Sequence, residues 1–144
     1  MLRIFAVLVA LAPMAAAADT FYLGTWKIAS AVVAPWWDDA HQKPDQAETR
    51  ALVGKTISIT PRAIVGPGIL ACKGPRYKVK DYPADSLFQG SFGEMHDRDK
   101  SIDPVKVAAT LGFHGSTWKT LETGCANELD FHFIDPTTAE SATA

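Results

Sequence analysis

The stretch whose reading decides the fold is Phe21-Tyr22-Leu23-Gly24-Thr25-Trp26-Lys27-Ile28-Ala29-Ser30. Trp26, Ile28, Ser30 and Val32 alternate with Lys27, Ala29, Ala31 and Val33, and a period of two is the mark of a strand. Gly24 lets the backbone pass close to another segment. Trp26 is large enough to plug one end of a small barrel. Pro35-Trp36-Trp37-Asp38-Asp39 ends the strand.

The same period recurs downstream. Lys55 to Thr60 reads as a strand with Ile57 and Ile59 on one face, and Ala63-Ile64-Val65 as its hairpin partner, stopped by Gly66-Pro67-Gly68. Ile69 to Cys72 resumes extended chain before the turn at Lys73-Gly74-Pro75. In Arg76-Tyr77-Lys78-Val79-Lys80 the apolar Tyr77 and Val79 oppose the basic Arg76, Lys78 and Lys80, which reads as a solvated face or as a stripe for an anionic partner. Ser86 to Phe92 predicts a strand with Phe88, Gly90 and Phe92 on one side, and Gly93 to Asp103 a long polar loop. Thr117 to Thr123 places Trp118, Thr120 and Glu122 together. In Glu128 to Ile134 the pattern turns Leu129, Phe131 and Phe133 to the core and Glu128, Asp130 and His132 away from it.

Two short helices interrupt the strands. One runs from Asp45 to Val53 and closes at Gly54; the other runs from Val105 to Leu111 behind an Asp103 cap, with Pro104 in its first position and Gly112 as its stop. Thr137 to Ala144 is small and polar and is expected to fray.

Ahead of the fold, Met1-Leu2-Arg3 carries one positive charge. Ile4 to Ala12 is uncharged, and Ala15 to Ala18 offers a small-residue exit: the three parts of a secretory signal peptide over residues 1–18. The apolar run falls short of the ~20 residues a membrane span needs, and nothing later is apolar enough to span a bilayer. The expected product is a periplasmic or secreted domain of residues 19–144. Its formal charge goes from −2 to −3 once Arg3 is removed, without the basic footprint of a nucleic-acid binder. Cys72 and Cys125 are the two cysteines, and an oxidising compartment makes a single disulfide the expected pairing.

Phe21 to Lys27 resembles the Gly-x-Trp opening of the lipocalins, and more closely the Gly-Thr-Trp-Lys opening of the fatty-acid-binding proteins. Both belong to the calycin superfamily, and the chain is also similar to small exported bacterial lipocalin-like proteins of unassigned function. The resemblance implies a mainly β fold: an antiparallel up-and-down barrel, closed or open with the last strand missing, with one or two short helices. It implies that Trp26 packs across the closed end. The late arginine that often covers this tryptophan has no counterpart, since Lys119 is the last basic residue.

The expected function is therefore an exported binding protein that holds a small apolar ligand. The cavity candidates are Trp26, Ile28, Tyr77, Val79, Phe88, Phe92, Phe131 and Phe133. The alternatives are a structural periplasmic protein, or a module that inhibits a secreted hydrolase through an anchor at Trp36 and Trp37. No Gly-x-Ser-x-Gly elbow, His-Glu-x-x-His pair or phosphate loop occurs, so the sequence points to no enzyme and no cofactor. His41, His96, His114 and His132 are scattered, and Asp97-x-Asp99-x-Ser101-x-Asp103 departs from a calcium loop where Ile102 replaces its glycine and Ala108 its closing glutamate. No metal is expected.

Overall fold

The computed structural model describes residues 20–36 and 46–142, with the side chains of Gln46 and Glu48 left aside. The signal-peptide segment, Trp37 and His41 lie outside the described residues. The chain is mainly β, with two antiparallel sheets and a few short helices.

The first sheet is a meander of β1 (Gly24–Lys27), β2 (Thr56–Ile59), β3 (Ala63–Val65) and β4 (Cys72–Lys73), paired in that order. Trp26 stands opposite Ile57. The short helix α1 (Gln46–Leu52) lies between β1 and β2. β1 is shorter than its alternation predicts: beyond Ile28, whose N–H donates to the Lys55 carbonyl at 2.8 Å, the chain leaves the ladder and Val32 and Val33 are exposed.

The second sheet repeats the plan with β5 (Lys78–Tyr82), β6 (Trp118–Glu122), β7 (Asp130–Asp135) and β8 (Thr138–Glu140). β8 corrects the expectation of a frayed end. Its side chains offer little to a core, but its backbone pairs with β7, setting Glu140 opposite His132. Among the described residues no ladder joins β4 to β5 or β8 to β1, and no closed barrel is found. The composition at the break accounts for this: β4 runs for two residues before Gly74-Pro75, and a proline has no N–H to continue a ladder.

Between β5 and β6 lie α2 (Leu87–Arg98) and α3 (Pro104–Thr110). The strand expected over Ser86 to Phe92 is thus replaced by a helix start, and most of the expected loop after Gly93 is helical. Phe88 and Phe92 have spacing that fits one side of a strand, but here the chain between them reverses through left-handed backbone before the regular helix, and this brings their rings 5.4 Å apart. The helix enters through a left-handed turn at Phe88, Gln89 and Gly90 (φ 52°, 55° and 82°). α3 forms as expected, with the Asp103 carboxylate accepting the Val105 N–H at 2.9 Å.

Two apolar clusters divide at the second sheet. On one face Leu121, Leu129, Phe131 and Phe133 meet Ile57, Ile59 and Ile64 of the first sheet. On the other, Trp118 meets Leu87, Phe88 and Phe92 of α2, Ala108 of α3, and Phe113. The order of layers is sheet, sheet, helices. The Cys72–Cys125 disulfide, with Cα atoms 6.1 Å apart, ties β4 of the first sheet to the turn after β6 of the second, across 53 positions of sequence. Loop-closure entropy for such a span is worth roughly 4 kcal/mol. The Cys72→Ala/Cys125→Ala double variant is therefore expected to lose up to about 4 kcal/mol of unfolding free energy in a denaturant titration, and thiol counting on the oxidised, unfolded chain to find no free thiol.

Candidate functional site

The helix-side face of the second sheet carries most of the buried polar chemistry. Cross-strand register places Lys78 opposite Glu122, Lys80 opposite Thr120, Tyr82 opposite Trp118, Thr120 opposite His132 and Glu122 opposite Asp130. Directly opposed residues share a face. Toward Trp118 this face is roofed by the helices. Toward Glu122 it opens into a cleft of about 330 Å³ lined by Arg76, Lys78, Glu122 and Gly124.

Gly124 shapes the cleft. Its φ is +64°, and a Cβ there would sit 3.3 Å from the Arg76 carbonyl and 3.4 Å from the Arg76 Cβ. A side chain there would have to take left-handed backbone and push the Arg76 segment back by a few tenths of an ångström, which glycine avoids. The Arg76 N–H donates to the Thr123 carbonyl at 2.7 Å, so the segment before β5 is held against the end of β6.

Glu122 is the hub. The Tyr82 hydroxyl donates to its Oε1, and Lys80 Nζ lies 2.9 Å from the same oxygen. The tyrosine hydrogen bond, then Lys80, hold the Glu122 carboxyl below its ordinary range. The same bond, with burial second, pushes the Tyr82 hydroxyl up to about 12, so Tyr82 serves as a donor and not a base. Arg76 and Lys78 form no ion pair among the described residues, and both are exposed. Asp130, half-buried beside Glu122, accepts the Thr123 N–H at 3.1 Å, yet burial raises its carboxyl.

His132 corrects an expectation. The alternation of β7 sends it away from the Phe131 and Phe133 face as predicted, but that side is roofed by α2, and His132 is 1 % exposed. Its Nε2 accepts the Phe88 N–H at 3.0 Å, which leaves Nδ1 to donate to Thr120 Oγ1 at 2.8 Å. Burial holds the imidazole at about 4, well below 6.5.

Of the apolar cavity candidates, Trp26, Ile28, Tyr77, Val79, Phe131 and Phe133 gather between the two sheets. The half-buried Trp26 ring stands 5.5 Å from Phe133, and its indole N–H donates to the Tyr22 carbonyl at 2.9 Å. The Tyr77 ring packs 5.1 Å from Tyr22 and its hydroxyl donates to the Thr60 carbonyl at 2.8 Å. Phe88 and Phe92 are not brought to this group: they lie in the helix-side cluster, where Trp36 packs 5.2 and 5.7 Å from their rings. Trp36 is thus engaged within the chain. The Asp97 to Asp103 carboxylates diverge to Lys100, Ser101 and the Val105 N–H. Among the described residues no group of three or more His, Cys, Asp or Glu could hold a metal, and no helix is long and apolar enough to cross a membrane. The sequence signal for the cleft was the Arg76–Lys78–Lys80 stripe; Glu122 and Gly124 join it only through the pairing of β5 with β6.

Comparison with protein-family models, with curated proteins and with solved structures finds no match to this chain.

Buried His132 and the exposed, left-handed Gly124 each set a measurable stability effect. His132 titrates near 6.5 when unfolded and about 4 when folded, so its neutral form favours folding. This contribution is intact above pH 6.5 and is lost as the pH falls from 6.5 through 4, up to about 3 kcal/mol in all. Urea unfolding at pH 7, 5.5 and 4.5 is expected to show that decline, and a His132→Gln variant to flatten it. Gly124→Ala forces a left-handed alanine against Arg76 and is expected to cost about 1 kcal/mol or more by the same measurement.

Proposed function

We propose that this chain is an exported, non-catalytic binding protein whose ligand is a small anion, a carboxylate or phosphate, seated in the Arg76–Lys78–Glu122–Gly124 cleft. The observation that carries the reading is a pair of exposed cations, Arg76 and Lys78, at a concave site where neither is ion-paired among the described residues and the neighbouring Glu122 is already engaged by Tyr82 and Lys80. A volume of about 330 Å³ lies at the lower end of the range for small-molecule sites. A guanidinium offers a planar fork of donors that matches two anionic oxygens, and Lys78 adds a mobile point charge. Glu122, held by Tyr82 and Lys80, presents its remaining acceptor capacity to a ligand hydroxyl or N–H. The disulfide supports export, because such bridges persist in oxidising compartments.

A second reading is favoured by the gathering of Trp26, Ile28, Tyr77, Val79, Phe131 and Phe133 between the sheets. It is the small apolar ligand that the calycin resemblance implies, and it requires the ring contacts there to part.

Isothermal titration with inorganic phosphate and with succinate at low salt, beside a fluorescent fatty-acid probe, separates the two. Saturable anion binding is expected, weakening as salt screens the site. The Arg76→Ala/Lys78→Ala double variant is expected to lose at least about tenfold in affinity, about 1.4 kcal/mol. Anion binding that is absent, or unchanged in the double variant, overturns the proposal; saturable uptake of the fatty-acid probe in its place supports the second reading.

A further inference from the structure

The left-handed turn at the start of α2 holds two of the three non-glycine residues with positive φ among the described residues, Glu128 being the third. Phe88 and Gln89 hold φ of 52° and 55° beside Gly90 at 82°. Side-chain residues resist this region because the Cβ crowds the following carbonyl, and they stay there only where the surroundings over-determine them. Here the surroundings are specific. The Phe88 N–H donates to His132 Nε2, and the two rings stand 4.6 Å apart. Gln89 Nε2 donates to the Glu128 carbonyl at 3.0 Å, and the same amide side chain works against the burial that raises the Asp130 carboxyl. Asp130 stands opposite Glu122, which lines the cleft.

We propose that the Phe88–Gly90 turn is a proton-released latch on the anion cleft, with His132 as its catch. Its regulatory part rests on the cleft reading above. While the imidazole is neutral, Nε2 has a lone pair for the Phe88 N–H and Nδ1–H is satisfied by Thr120. A proton on Nε2 leaves two donors facing each other. The hydrogen bond that fixes Phe88 is lost, the imidazolium is stranded in an apolar cluster, and the turn relaxes toward right-handed backbone. Gln89 then leaves Glu128 and Asp130, and the acidic side of the cleft loses its support.

The charged groups around the catch do not offset this. Tyr82, from β5, stays protonated and is committed to Glu122. Glu122, from β6, is engaged by Tyr82 and Lys80. Glu140, opposite His132 on β8, and Asp130, two positions away on β7, both have carboxyls raised by burial. α2 presents Phe88 and Gln89 to this region, neither of them charged.

The test is an NMR titration of the full chain from pH 7 to 3.5. It follows the His132 ring and the Phe88, Gln89 and Gly90 amides, with far-UV circular dichroism and phosphate titrations at both ends. The three amides are expected to shift together with the imidazole, at a midpoint near pH 4, while the dichroism is retained and phosphate affinity changes by at least threefold. His132→Gln keeps an acceptor for the Phe88 N–H without a titrating ring and is expected to abolish the amide transition. Amides that stay still through the imidazole titration, the same transition in His132→Gln, or loss of dichroism at the same midpoint overturns the latch. If the glutamine variant fails to fold, the wild-type amide and imidazole midpoints decide alone. Phosphate binding at neither pH overturns the ligand reading and its regulation, and the amide titration still decides the latch.

Discussion

Strand β7 buries both of its faces, and the rest of the structure depends on that. Phe131, His132 and Phe133 are consecutive in sequence and all but removed from water. Phe131 and Phe133 point at the first sheet, and His132 points at the helices. A strand buried on two sides needs an apolar layer on each, and the chain supplies them in sequence order: a four-stranded meander before β5, and a helical pair between β5 and β6. Leu121 and Trp118 on β6 divide in the same way. The disulfide and the Asn127 side chain, whose Nδ2 donates to the Ile69 carbonyl at 2.6 Å, secure the first layer to the second at one end.

Double burial explains why polar groups of the second sheet are so fully partnered. An unmet donor or acceptor in such a place costs about 1–3 kcal/mol. Thr120 and His132 satisfy one another, Thr123 donates its hydroxyl to the Leu129 carbonyl, and the Phe88 N–H, turned out of the helical pattern by its left-handed backbone, finds the imidazole. The backbone irregularity and the buried histidine are therefore one arrangement, each giving the other its partner. Charge gathers where this burial ends. At the Glu122 end of the same face the roof stops, water enters, and Arg76, Lys78 and Lys80 stand beside carboxylates instead of rings.

Local chemistry was legible where a short segment decides its own geometry. The Asp103-Pro104 helix start, the strands around Ile57–Ile59, Val79 and Phe131–Phe133, and the cysteine pairing all follow from period, capping preference and cysteine count. The segment Ser86–Phe92 misled because two aromatics four apart fit a strand face, while the left-handed turn that actually separates them is held by His132, forty-four positions from Phe88. The cleft was half legible. The basic stripe of β5 stands out, but its register against Glu122 is a property of strand pairing, and its separation from the aromatic residues follows from which side of the sheet the helices cover.

The amino-acid order by itself determined that the fold is mainly β, that one disulfide closes it, and where its second helical cap would stand. These follow from interactions within a few residues, or from a count that allows one pairing. The tertiary structure alone decided that the strands form two stacked sheets instead of a closed ring, that Phe88 and Phe92 leave the company of Trp26, and that an apparently outward histidine is buried. Each of these turns on which distant surface covers a face, and periodicity shows that a face exists without showing what lies against it.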